Sequence, residues 1–270
     1  MDLAVVYMVA GLSSRFGGKI KQFAKVGPKN ETLIEYSINQ AINVGFNKII
    51  FIVGEKTEKQ FKEMFGKEYK GIKVDYALQN FDPKERDKPW GTVDALCSAE
   101  ELIDSPFVVC NGDDIYGEKT FEILFNHLKK ENTPATIGYE LKNVLSEEGT
   151  VNRGIFELEG DLVKSIKEVF EISKENFIDK GLKGNTPCSM NIFGFGQSIL
   201  NNLKQSLERF KKEKKGDRKA ECLLSQELGN MIKRGEIIMR IYPTPDKWFG
   251  VTNPEDEEKV REELKNLKKI

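Results

Sequence analysis

The sequence predicts an α/β fold: a mostly parallel sheet covered by helices on both faces, with antiparallel strands added in the second half. Two observations predict it. Up to about residue 133, apolar runs of strand length alternate with amphipathic helical stretches, which is the pattern of βαβ units. From about residue 134, strand-like runs follow one another with turn signals such as EEGT and LEGD between some of them, which is the pattern of antiparallel pairing.

Leu3 to Val9 is a continuous apolar run and reads as a buried first strand. Thr32 to Val44 has helical periodicity. Lys48 to Val53 is a second strand, and a helix follows from about Thr57 to Phe65. Ile72 to Leu78 is a third strand, Thr92 to Ile103 a helix, and Pro106 to Cys110 a fourth strand ahead of a helix from about Lys119 to Lys130. In the second half, Ala135 to Leu141, Arg153 to Leu158, Leu162 to Val169 and Cys188 to Phe195 read as strands. The polar stretch from Ile172 to Asn185 reads as an exposed loop or short helix. Helices are expected from about Gln197 to Lys211 and Ala220 to Arg234, with a last strand from Glu236 to Tyr242. The tail reads as a helix capped by Asn253, with Pro254 in its first turn, acids at its start and lysines at its end, in keeping with the helix dipole. The expected organisation is one domain over 1–270: a first half (1–133), a second half (134–253) and a terminal helix (254–270).

The 270 residues are 39% hydrophobic and 31% charged, and 42 basic against 43 acidic side chains leave a net charge of −1. That balance argues against a nucleic-acid or anionic-membrane partner bound by bulk charge. The four cysteines, Cys97, Cys110, Cys188 and Cys222, show no zinc spacing and read as free thiols. The apolar start is too short to span a membrane and follows no basic region, so a cytoplasmic protein without a membrane partner is expected. His127 is the one histidine and sits on an amphipathic helix, so chemistry that needs a histidine base has almost nothing to use. Self-association into a homo-oligomer stays open.

Ligands of an open parallel sheet bind beyond the carboxyl ends of its strands, and three polar segments fall at such ends. The first is Gly11 to Gln22, rich in glycine and carrying Arg15, Lys19 and Lys21, a composition suited to phosphate oxygens. It contains neither the G-x-x-x-x-G-K-[ST] nor the G-x-G-x-x-G pattern. The second is Gln79 to Val93, where the Gln79 carboxamide offers both a donor and an acceptor, Gly91 permits close approach, and Trp90 reads as either packing or stacking. The third is Asn111 to Gly117, with Asp113 and Asp114 directly after an apolar run, and hard cations such as Mg²⁺ prefer oxygen ligands of this kind.

AGLSSRFGG followed by Lys21 and Gln22 resembles the signature loop of the sugar-phosphate nucleotidyltransferases, with Ser13 in place of the usual second glycine. The resemblance implies a Rossmann-like mixed, mostly parallel sheet flanked by helices, with a smaller antiparallel sugar-binding part. It makes Arg15 and Lys21 the signature cations, Lys21 being preferred to Lys19 because Gln22 follows it. It assigns Ala10, Gly11, Ser13, Ser14, Gln79, Gly91 and Thr92 to the nucleotide and Asp113 to a magnesium ion. NRGIFELEGDLVKSIKEV and CSMNIFGF resemble the sugar-side segments, implying sugar-phosphate contacts at Gly154, Glu168 and Asn191, with Lys247 a candidate phosphate partner. WFGVTNPED resembles the last metal-proximal segment but offers Thr252 and Asn253 where many relatives carry a metal-binding Asp or Asn, which leaves Thr252 as the second candidate ligand.

The implied reaction is attack by a sugar 1-phosphate on a nucleoside triphosphate, UTP or dTTP favoured, with release of pyrophosphate. A cytidylyltransferase acting on phosphocholine or another phospho-alcohol is the near alternative. A glycosyltransferase would use D-x-D rather than the D-D found here, and a non-catalytic nucleotide-sugar sensor would not need the Arg15, Lys21 and Asp113 set.

Overall fold

The computed structural model describes residues 2–11, 20–146, 149–251 and 256–267. The first half runs β1 (Ala4–Met8), α1 (Leu33–Val44), β2 (Lys48–Val53), α2 (Glu58–Phe65), β3 (Glu68–Tyr69), β4 (Ile72–Leu78), α3 (Thr92–Ser98), β5 (Phe107–Asn111), β6 (Asp114–Ile115) and α4 (Glu118–Leu128). The second runs β7 (Ala135–Glu140), β8 (Val151–Glu159), β9 (Leu162–Ile172), β10 (Pro187–Ser189), β11 (Phe193–Phe195), α5 (Ile199–Glu213), α6 (Leu224–Lys233), β12 (Arg240–Pro243), β13 (Phe249–Gly250) and α7 (Asp256–Leu267).

Alternation along β1 builds the two faces of the sheet. Val5 and Tyr7 join Ile34 and Ile38 of α1, Phe61 of α2 and Phe121 of α4 in one core. Ala4 and Val6 point the other way, into a core with Leu96 of α3, Leu203 of α5 and Leu228 of α6. With helices on both sides the strand is apolar throughout, as its sequence indicates. α1 begins at a capping box in which the Glu35 amide donates to Thr32 Oγ1 and the Thr32 amide donates to Glu35 Oε2.

The main sheet has the order β10-β8-β9-β12-β7-β11-β5-β1-β2-β4-β3. Its centre, β5, β1, β2 and β4, is parallel. The chain lays β1, β2 and β4 outward in one direction, then returns to set β5 on the other flank of β1. The strand order therefore reverses between β1 and β5, and such a reversal opens a crevice beyond the carboxyl ends of the two strands. β11 pairs antiparallel with both β5 and β7, so the second half continues the same sheet. The β8–β9 hairpin is antiparallel and carries two irregularities of register. β6 and β13 form a separate ribbon, packed with α7 around Ile115, Phe249, Val260 and Leu264. Among the described residues no helix is long and apolar enough to cross a membrane.

The expected fold class is the one observed, but several elements differ in extent. The helix from Thr92 ends at Ser98, where the Ser98 hydroxyl donates to the Ala95 carbonyl at 2.6 Å and competes with the helical ladder; a 3-10 turn follows. Cys188 to Phe195 is two strands, because Asn191 adopts a left-handed φ of 56° and lets the chain leave β8 for β5. The helix expected from Ala220 starts at Leu224, since the Cys222 backbone is engaged by Trp90 and Val93. The last expected strand is confined to Arg240–Pro243. His127 is buried, with Nδ1 3.1 Å from the Tyr242 hydroxyl and Nε2 2.7 Å from the Thr133 carbonyl, as befits a structural histidine.

Candidate active site

The second and third polar segments and the described ends of the first lie at the carboxyl edge of the parallel strands, and the first and third touch. Lys21, in the segment after β1, forms an ion pair with Asp113, in the turn after β5. The pair spans the two strands at which the order reverses. Ala10 and Gly11 enter this edge from β1; Ala10 packs its carbonyl against Gly54, where a Cβ would lie 2.8 Å away, and among the described residues nothing lies within 4 Å of a Cβ at Gly11. Ser13, Ser14, Arg15 and Lys19 lie outside the described residues.

Asp114 has a different environment from its neighbour. It is buried, accepts from Asn111 Nδ2 at 2.9 Å, and lies 3.2 Å from the Tyr116 hydroxyl. That hydroxyl also accepts the Asn111 amide and reaches the Met190 carbonyl at 2.9 Å, tying the strand tip to the β10–β11 break. Burial, and then the charge of Asp113, push the Asp114 carboxyl up to about 7, against the lowering effect of Asn111, Lys21 and Arg153. A carboxyl raised on folding keeps a proton that the unfolded chain has released, so its contribution to stability is complete below about pH 4 and is lost as pH rises toward about 7. Asp114→Asn is expected to flatten that slope, seen in denaturation midpoints measured across this window; an unchanged slope would show that Asp114 ionises as freely folded as unfolded.

The second segment is fastened rather than open. Gln79 is buried and spends both amide hydrogens inside the fold, on the Gly91 carbonyl and Asp94 Oδ2, each at 3.0 Å, which leaves its oxygen as an acceptor. Gly91 has φ 96°, and a Cβ there would lie 2.7 Å from the Cys222 carbonyl oxygen. Its small size serves that backbone crossing. Thr92 lines the cleft and accepts the Leu224 amide at 2.7 Å, capping α6. The Arg86 guanidinium stacks 3.2 Å from the centre of the Trp90 ring, and Phe210 meets Trp90 edge-on, so Trp90 is a packing residue. The charged stretch DPKERDK is clasped from both sides: Arg86 donates to the carbonyls of Asp217 and Ala220, and Arg218 donates to those of Pro83 and Lys84. Arg86→Ala is expected to cost about 2–4 kcal/mol and to open the segment. Hydrogen exchange across residues 82–90 checks it; unchanged protection there would mean that the clasp holds nothing.

A cleft of about 1170 Å³ has Lys21, Asp114, Gly154, Glu168, Asn191 and Lys247 in its walls. That exceeds the ~300–1,000 Å³ of a single small-molecule site. Gly154 pairs across the sheet with Glu168 and with Ser189, so a glycine lies directly under the Glu168 carboxyl. Burial raises the Glu168 carboxyl above its ordinary range, opposed by Arg153. The Asn191 amide donates to Ser189 Oγ at 3.2 Å and its side chain is exposed. Lys247 is exposed and paired with Glu263 of α7 at 3.6 Å. Thr252 and Asn253 lie outside the described residues.

Arg153 and Trp248, which sequence reading passed over, also line this cleft. Arg153 and Gly154 both line the cleft, in unbroken register with Val169 and Glu168 of β9. Sequence offers only an arginine beside a glycine as a signal.

No group of three or more His, Cys, Asp or Glu side chains suited to a metal occurs among the described residues. The Asp113 carboxylate, partly exposed and neutralised by a lysine, fits a Mg²⁺ ion that draws its other oxygens from substrate phosphates and water. Asp114, buried and bonded to Asn111, does not.

No curated protein is significantly similar in sequence. Among solved structures, the fold resembles an inositol-1-phosphate CTP transferase from T. maritima, with TM-score 0.71 and 14% identity over 99% of this chain and 96% of that one. It also resembles a protein designated a glucose-1-phosphate thymidylyltransferase from Bacillus anthracis, with TM-score 0.71 and 12% identity over 98% and 96%. A UDP-glucose pyrophosphorylase complexed with UDP-glucose gives TM-score 0.65 and 17% identity over 99% and 100%. At these identities the likeness is one of fold. The sequence itself matches the Nucleotidyl transferase family model across residues 17–256. With the match spanning most of its length and the crevice at the β1–β5 reversal, this chain belongs to the nucleotidyl transferase family.

Proposed function

We propose that this chain joins a nucleoside triphosphate, UTP or dTTP favoured, to a sugar 1-phosphate. Residues 1–133 hold the nucleotide and 134–253 hold the acceptor, while in the terminal part, 254–270, α7 packs beside β13. One observation above all supports the reading: a cation from the β1 segment and a carboxylate from the β5 tip meet at the mouth of the crevice. Opposite charges converging there suit a polyphosphate with its counter-ion.

In this reading the nucleotide phosphates lie along the first segment, against Arg15, Lys21 and the amides of Ala10, Gly11, Ser13 and Ser14. Gln79 offers its oxygen to the imide N–H of uracil or thymine, beside Gly91 and Thr92. Asp113, with Thr252, holds magnesium, which neutralises phosphate charge when bound. An oxygen of the acceptor phosphate attacks the α-phosphorus. A P–O bond forms there, the bond from the α-phosphorus to the bridging oxygen breaks, and pyrophosphate leaves with the electron pair. A phosphate dianion is already a nucleophile, so no general base is needed and catalysis is positioning plus electrostatics. Gly154, Glu168 and Asn191 hold the sugar hydroxyls, and Lys247 exchanges Glu263 for phosphate. A cytoplasmic location suits these substrates.

The likeness to an inositol-1-phosphate CTP transferase keeps a phospho-alcohol acceptor and CTP as the second reading. The test is a matrix of UTP, dTTP, CTP, ATP and GTP against glucose 1-phosphate, inositol 1-phosphate and phosphocholine, scored by pyrophosphate release. Turnover confined to CTP with a phospho-alcohol would replace the first reading by the second, and no turnover in any pair would end both.

A further inference from the structure

The cleft wall includes an arginine that the reading above does not use. Arg153 is partly buried, and among the described residues neither a carboxylate nor any other side chain is bonded to it. Its Nη1 donates to the Asn152 carbonyl at 3.1 Å and its Nη2 to the Val144 carbonyl at 2.9 Å. A guanidinium carries five N–H donors, so three remain, and Nε is buried without a partner. The indole Nε1 of Trp248 is also buried without a partner, and the guanidinium lies 5.4 Å from the centre of the Trp248 ring. Two unpaired groups in one wall are thus both donors. A partner that satisfies them must present acceptors, as an oxyanion does.

A desolvated charge without a counter-ion is costly, and folds keep one where a ligand supplies the counter-ion. Burial accordingly lowers the Arg153 guanidinium from its ordinary range, with Asp114 and Glu168 the cleft carboxylates acting on it. Those two mark the ends of the cleft that matter: Asp114 is at the β5 tip beside the proposed nucleotide phosphates, and Glu168 is beside the proposed sugar hydroxyls. An anion at Arg153 would share the cleft with both carboxylates, in the space that the proposed reaction gives to the attacking phosphate. Trp248 is held in place by Gly250, where a Cβ would lie 2.4 Å from the indole, and Gly250 pairs with Asp114. The same wall therefore fixes Arg153 relative to the acidic tip.

We propose that Arg153 is the anchor of the acceptor: its guanidinium, backed by the Trp248 ring, grips the phosphate of the incoming acceptor between the β5 tip and Glu168. This rests on the nucleotidyl-transfer reading for the identity of the anion. Arg153 then selects acceptors by their phosphate, whatever alcohol carries it, and leaves the alcohol to the neighbouring residues.

The test uses inorganic phosphate as probe and Trp248 emission as a local readout. The chain has two tryptophans, so Trp90→Phe leaves Trp248 alone. In that background, phosphate titrated against sodium chloride of equal ionic strength is expected to change Trp248 emission saturably. Arg153→Met is expected to raise the dissociation constant at least about tenfold, and Arg153→Lys by less, because lysine keeps the charge but not the fork. UTP affinity by calorimetry and the thermal midpoint are expected to stay near the parent values. Absence of a saturable response in the Trp90→Phe chain, or an Arg153→Met response equal to it, would overturn the assignment. So would loss of UTP affinity in step with phosphate affinity. These outcomes are read without turnover, so failure of the pyrophosphate-release matrix and failure of the Arg153 assignment are separate results.

Discussion

Replacing Asp113 by asparagine is expected to lower pyrophosphate release by about 10²–10³-fold, the scale seen when one preorganised group facing transition-state charge is lost. Asparagine keeps an oxygen at the strand tip but removes the charge that a hard cation needs. The structural cost is expected to be small. The Lys21 and Asp113 side chains are 19% and 27% exposed, so the pair is only partly desolvated, and the repulsion between Asp113 and Asp114 offsets part of its attraction. The decisive comparison is turnover against the denaturation midpoint. Turnover that collapses while the midpoint stays within about 1 kcal/mol of the parent supports a chemical role. A midpoint that falls with turnover would assign Asp113 to structure, and undiminished turnover would remove it from the site.

Gly91→Ala is expected to destabilise the chain by about 2–4 kcal/mol, because a side chain at positive φ is strained and its Cβ has no space. The φ is 96°, and the added carbon would lie 2.7 Å from the Cys222 carbonyl oxygen and 2.8 Å from its amide nitrogen. Both are backbone atoms, and Cys222 is held by hydrogen bonds to Trp90 and Val93 on either side of Gly91, so neither can move aside cheaply. Denaturant unfolding of the ligand-free protein measures it. A glycine kept only for close approach of a base would behave otherwise: the alanine variant would unfold like the parent and show a raised KM for the nucleotide alone.

These two positions show what kind of information the sequence carries. Asp113 is legible as an acid after an apolar run, and the fold needs little more than that run to put it at the sheet edge. Gly91 is legible as a glycine at the start of a helix, but its reason is Cys222, more than a hundred residues further on. The same holds for Gln79, whose amide hydrogens go to Gly91 and Asp94, and for DPKERDK, whose charges look like those of a solvated loop until Arg218 closes on them. Lys247 reads as an available cation, and only the docking of α7 supplies Glu263.

Periodicity alone determined the α/β class, the parallel first half, the change of pattern near residue 134 and the three polar strand ends, because hydrophobic spacing is a local property and strand ends follow from it. Tertiary structure decided the rest: which segments meet, as Lys21 and Asp113 do; how unlike two adjacent aspartates become once one is buried; and that Arg153 lines the cleft beside Trp248. Burial, charge neighbourhood and register depend on what packs from distant parts of the chain, and no window of sequence contains them.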